Sequence, residues 1–84
     1  MDDEQMTIKE AIRHVLDNYD IPSRYALARA LSNETLNVQP IQINNYLKGT
    51  RVSKKVAERF LDLYNIVIID VHDPSYWKLL EDDI

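Results

Sequence analysis

Gln39, Gln42 and Asn45 recur every three residues through NVQPIQINNYLKGTR (37–51). On a helix they lie, with Ile41 and Lys48, on the side away from Ile43, Tyr46 and Leu47, which share a core-facing side. A side-chain amide carries a donor and an acceptor side by side. That pair matches N6 and N7 of adenine, and an exposed isoleucine suits the methyl group of thymine. A helix face meeting only water favours stronger helix formers, notably Glu and Lys. Gln39, Ile41, Gln42 and Asn45 are therefore the candidate base-reading residues. Directly downstream stand Thr50, Arg51, Lys54 and Lys55. Lys54 and Lys55 occupy the first turn of a helix capped by Ser53, the end where the helix dipole disfavours cations. A phosphate held near the exposed amides of that turn gives them a reason to be there. Lys48 and Arg24 complete the candidate phosphate-binding set. For Arg24, a solvated surface arginine is an equal reading.

The charge pattern points the same way. Residues 24–59 hold seven basic and two acidic side chains, a balance of +5. The 23 residues before them sum to −4 and the 25 after them to −5, so a formal net charge of −4 conceals a basic middle.

These residues need helices to position them. Thr7 and Glu10 form the T-x-x-E capping box, and Ile8, Ala11, Ile12, Val15, Leu16 and Tyr19 follow as one apolar stripe. Asp20-Ile21-Pro22 ends that helix, and Ser23 caps a second over about 24–31, with Leu27, Ala28 and Leu31 inward. The third runs from Pro40, at the first helical position, to Gly49 just past its end. The fourth covers about 54–64, with Val56, Ala57, Phe60, Leu61 and Tyr64 inward. Helix, break and helix over 23–51 make a helix-turn-helix, a motif that lays its second helix in the major groove of DNA. SNETL (32–36) lengthens the break beyond the usual ~3–4 residues. Asn37 is a residue able to take the left-handed conformation that a glycine would supply there. IVIIDV (66–71) is β-branched and reads as a strand, Asp73-Pro74-Ser75 as a turn, and Tyr76-Trp77 with Leu79-Leu80 as one short final helical turn.

Eighty-four residues make one domain with a single small core, too little for a roomy catalytic pocket with a second lobe. The expected organisation is a flexible acidic segment 1–6, one domain over 7–80 with its helix-turn-helix core at 23–51, and an acidic tail 81–84. Cysteine is absent, so neither disulfides nor a zinc ribbon hold the fold. His14 and His72 stand apart from any metal-ligand spacing, and no P-loop, G-x-G-x-x-G or nucleophile elbow occurs. An enzyme, a metal site, a cofactor and a small-molecule ligand are not expected. MDDEQM lacks the features of a signal peptide, and the longest aliphatic run, Ile66 to Ile69, falls far short of the ~20 residues that span a bilayer. No membrane role is expected.

ALARAL (26–31), VQPIQINNYLKGTRV (38–52), VAERFL (56–61) and DVHDPSYW (70–77) together resemble the lambda-type Cro and repressor domains, and among them the small prophage group of YdaS-like Cro proteins. The resemblance covers about Arg24 to Trp77. It implies a mainly α, four- to five-helix, lambda-repressor-like fold with a C-terminal strand, and a Cro-like transcriptional repressor of phage or prophage type in the bacterial cytoplasm. Double-stranded DNA carrying a short inverted repeat is the implied partner. Arg24 takes the place where the family often has a phosphate-contacting glutamine, and Gln39, Pro40, Ile41, Gln42 and Asn45 take the recognition-helix positions. Pro40 departs from the glutamine of the best-known repressors, and SNETL is an insertion. With no second strand evident, 66–71 is expected to pair with a second copy through Ile66, Ile68, Ile69 and Val71, giving a homodimer. Packing of 66–71 as extended chain on its own core is the other reading. The alternative function is a helix-turn-helix scaffold used for protein–protein binding, such as a phage inhibitor or DNA mimic aimed at a host factor; the acidic ends motivate it.

Overall fold

A computed structural model describes residues 4–81, with side chains through Lys78. The expectations for residues 1–3, for the side chains of Leu79 and Leu80, and for the tail 82–84 lie outside the described residues. The order is β1 (Glu4–Met6), α1 (Ile8–Asn18), α2 (Arg24–Leu31), α3 (Pro40–Leu47), α4 (Lys54–Tyr64), β2 (Ile66–Ile68) and α5 (Pro74–Glu81). The fold is mainly helical, with one two-stranded parallel sheet. No helix among the described residues is long and apolar enough to cross a membrane.

The capping signals act as their chemistry dictates. Thr7 Oγ1 accepts the Glu10 amide at 3.3 Å while Glu10 Oε1 accepts the Thr7 amide at 3.2 Å. Ser23 and Ser53 accept the amides of Ala26 and Val56. Ile8, Ala11, Ile12 and Val15 of the α1 stripe are buried, but the helix stops at Asn18. Tyr19 is already extended and exposed, its ring tilted against that of Tyr64 with the centroids 4.8 Å apart. A distant residue adds a further cap: Asp70 Oδ1 accepts the Ile8 amide at 3.0 Å, tying the start of α1 to the chain after β2.

Two expectations about the ends are corrected. Residues 4–6 are not a frayed end, because they form β1 and pair in parallel with β2, Glu4 opposite Ile66 and Met6 opposite Ile68. Consequently 66–71 does not need a second copy to complete a sheet. The strand is only three residues long, and Ile66, Ile68 and Val71 are buried in the core of their own chain. Ile69 alone of the four proposed dimer residues is exposed, at 45 %. Parallel strands require a long crossover, here α1 through α4, and a strand of sequence EQM carries no β-branched residue or alternation to announce it.

The chain after β2 is also more regular than one turn. Asp73 Oδ1 accepts the amide and the hydroxyl of Ser75 at 2.9 and 2.7 Å, and Pro74 begins α5. Those bonds, with a smaller contribution from the nearby Lys54 charge, hold the Asp73 carboxyl below its ordinary 3.8. A depressed pKa means that this cap stabilises the fold fully above the unfolded-state pKa and is lost as pH falls through the folded one. Asp73→Asn is expected to flatten the acid limb of the stability curve below about pH 4. Urea unfolding of both forms between pH 2.5 and pH 6, on the order of five points, checks this.

The insertion closes on itself. Asn33 Oδ1 accepts the amides of Thr35 and Leu36 at 2.9 and 2.8 Å, and the Asn33 amide donates to the Leu36 carbonyl at 2.8 Å. Ser32 Oγ donates to the Ala28 carbonyl at 2.8 Å and accepts the Val38 amide at 2.9 Å. The two ends of the loop are thereby pinned together, so the added residues bulge outward while α2 and α3 remain packed. Asn37 does not take the left-handed conformation; among the described non-glycine residues only Asn65 does, at φ 55°, where it ends α4.

Candidate nucleic-acid interface

Helix α3 is held from three sides. Ile43 and Tyr46 are buried against the core. Burial pushes the Tyr46 hydroxyl above the usual tyrosine range, and its bond to the Ser53 side chain pulls the other way. Arg24 Nη1 donates to Asn44 Oδ1 at 2.7 Å, joining the first turn of α2 to the middle of α3. Arg24 is exposed, but the structure gives it a positioning contact that the sequence did not suggest.

On the outward side, Ile41, Asn45 and Lys48 follow one line at i, i+4 and i+7. Ile41 is 59 % exposed, Gln39 and Lys48 are exposed, and Gln42 and Asn45 are half-buried. The four candidate base readers are not equally available. Gln42 Oε1 accepts the Gln39 amide at 2.7 Å and closes the start of the helix. A two-point contact to adenine needs that oxygen as acceptor, so Gln42 would have to share it with the helix-capping bond, which restrains how the side chain can turn. Among the described residues Asn45 has no side-chain hydrogen bond of this kind.

The end of α3 directs the next group. Gly49, at φ 107°, donates its amide to the Tyr46 carbonyl, and the Thr50 amide donates to Asn45, the paired bonds of a Schellman stop. The chain turns sharply and Val52 is buried two residues later, which fixes the exposed Thr50 and Arg51 beside the C-terminus of α3. Lys55 is exposed at the start of α4. Among the described residues neither Arg51 nor Lys55 has an ion pair.

Lys54 differs. Its Nζ lies 3.7 Å from Glu58 Oε1, one turn along α4, and its charge acts on Asp73. Lys54 therefore has local partners of its own, which the position at the start of a helix did not suggest. Arg59, counted in the basic middle, is likewise used within the fold: Nε donates to the Leu31 carbonyl at 3.0 Å and completes the C-terminus of α2. A second exposed pair was missed. Arg29 stands over the Tyr25 ring, 5.9 Å from its centroid, and donates to the Tyr25 hydroxyl at 3.3 Å. Its signal was the i, i+4 spacing of an aromatic residue and an arginine on α2.

The assembled surface thus has amides and one exposed aliphatic side chain along α3, free cations at its C-terminal end, and no carboxylate on α3 itself. Comparison with models of known families, with curated proteins and with solved structures gave no match to this chain.

Proposed function

We propose that this chain is a sequence-specific DNA-binding transcriptional regulator, a helix-turn-helix protein of Cro-like type in which α2 and α3 form the motif and α3 enters the major groove. The observation that carries the reading is the line Ile41–Asn45–Lys48, free of acidic groups, running directly into exposed Thr50, Arg51 and Lys55. Base edges are read by the line and phosphates are gripped by the group that follows. Asn45 and Ile41 are the principal readers, Gln39 lies at the edge of the face, and Gln42 has the secondary place that its capping bond leaves it. Arg24 supports α3 through Asn44, and Lys54 contributes less charge to the DNA than Arg51 or Lys55.

Such a protein acts by occupying a short operator as a dimer, with half-sites ~34 Å apart, one turn of the duplex. The side chains of Ile66, Ile68 and Val71 are buried within their own chain, which leaves Ile69 as the exposed member of the four residues expected at the dimer seam. Selection from a random duplex pool, followed by binding titrations over a salt series, tests the reading. Enrichment of a defined sequence and an affinity that falls linearly on a log–log plot with salt are expected. No enrichment and no salt dependence would contradict it, and would favour the protein-binding scaffold. On the selected duplex, Asn45→Ala is expected to lose about 1–3 kcal/mol of discrimination at one base position while leaving the salt slope unchanged.

A further inference from the structure

Between α2 and the start of α3 lies a cleft of about 310 Å³, bordered by Tyr25, Arg29, Ser32, Asn37, Gln39 and Pro40. Its floor is made by the packed elements, and one rim carries the Arg29–Tyr25 pair. Tyr25 is 58 % exposed, which is unusual for a side chain of its apolar area with no evident packing duty. The ring face holds the guanidinium in place, while the hydroxyl accepts from only one of its N–H groups. Arginine arranged in this way retains donors for a planar, multidentate contact to phosphate.

The position matters as much as the chemistry. Arg51 and Lys55 lie after the C-terminus of α3, whereas the cleft opens beside Gln39 and Pro40 at its N-terminus. A helix lying in a major groove ~12 Å wide runs between two phosphate backbones. A protein that grips only at one end of that helix leaves the other backbone without a cation. Arg24, the basic residue of the α2 N-terminus, is tied to Asn44, so Arg29 is the cation of α2 that borders the cleft.

Resting on the DNA-binding reading above, we infer that Arg29, held by Tyr25, is a second phosphate clamp that contacts the strand flanking the N-terminal end of α3, opposite the Arg51–Lys55 grip. The insertion 32–36 belongs to the same device. By bulging outward and being stitched at Ser32 and Val38, it leaves the space between Arg29 and Gln39 open. The ligand is a backbone phosphate of duplex DNA, recognised without regard to base.

Arg29 also lies in the last turn of α2, where a cation suits the helix dipole, so the test must separate contact from stability. Wild-type, Arg29→Ala and Arg29→Lys are titrated against the selected duplex and an unrelated duplex over a salt series, with thermal unfolding of each. Arg29→Ala is expected to reduce the log–log salt slope by about 0.9 and to weaken both duplexes by roughly tenfold. Arg29→Lys should restore the slope, since it retains the charge. Ethylation interference on the selected duplex should lose one phosphate position in Arg29→Ala, on the strand away from the positions that Arg51→Ala affects. Wild-type binding with a steep slope that Arg29→Ala leaves unaltered overturns the clamp and leaves the DNA-binding reading standing. A loss that tracks lowered thermal stability and is not restored by Arg29→Lys assigns Arg29 a purely structural role and also overturns the clamp. Absence of salt-dependent DNA binding by the wild-type chain overturns both.

Discussion

Tyr76→Ala is expected to lower the unfolding free energy by ~3–5 kcal/mol, as truncation of a buried aromatic residue does. Tyr76 is fully buried, and its hydroxyl accepts the Ile68 amide at 3.0 Å within the core. It packs edge-on to Trp77, whose Nε1 donates to the Val71 carbonyl at 3.0 Å. Helix α5 is thus fastened to β2 and to the loop after it by two aromatic side chains. Removing the ring opens a cavity and also strands the Ile68 amide. Tyr76→Phe keeps the ring and removes the hydroxyl that accepts the Ile68 amide, so it should cost about 1–3 kcal/mol, the penalty of a buried donor left without that partner. Small domains have ~5–15 kcal/mol in total, so the alanine form should be partly unfolded in mild urea. Equilibrium urea unfolding followed by far-ultraviolet circular dichroism measures both. If the alanine form loses less than about 1 kcal/mol, α5 does not dock as described.

The second large effect concerns binding. Arg51→Ala combined with Lys55→Ala is expected to lower the salt slope by about 1.8, corresponding to two lost phosphate contacts, and to weaken every duplex by roughly a hundredfold at low salt. Both side chains are exposed and without ion pairs among the described residues, so folding stability should change by less than ~0.5 kcal/mol per substitution. Lys54→Ala makes the informative contrast. Its charge is opposed by Glu58 and Asp73, and its loss should change the slope by clearly less than either of the other two. Fluorescence anisotropy over a salt series resolves the difference. Equal effects from Lys54 and Lys55 would mean that Lys54 leaves Glu58 when DNA is present.

The features legible in the sequence are those with local causes. Thr7, Ser23 and Ser53 cap the helices they precede, Pro40 and Gly49 frame α3, and the stripe from Ile8 to Val15 is the buried face of α1. In each, the residue type and its neighbours within four positions are sufficient. What stayed hidden depends on chain segments far apart in sequence. Nothing in EQM foretells a strand until Ile66–Ile68 lies beside it. Asp70 capping α1 and Arg59 completing α2 join residues 62 and 28 positions apart. The bond from Arg24 to Asn44 spans 20 positions and leaves no local sign in the sequence. The strand Ile66–Ile68 has its partner in the same chain for a related reason: Glu4–Met6 pairs with it from more than 60 residues away. The candidate reading face on α3 could be named in advance because helical period alone assigns residues to sides; which of its amides is already hydrogen-bonded could not.

The most direct test of the central claim is an amide map of the chain titrated with its selected duplex, using two-dimensional nitrogen–proton spectra of labelled protein. The DNA-binding account predicts that shifts and broadening concentrate at 39–51 and at Lys55, extend to Tyr25 and Arg29, and are slight on α1 and α5. Perturbation confined to α1 or α5, or a spectrum unaltered by saturating duplex, would contradict it.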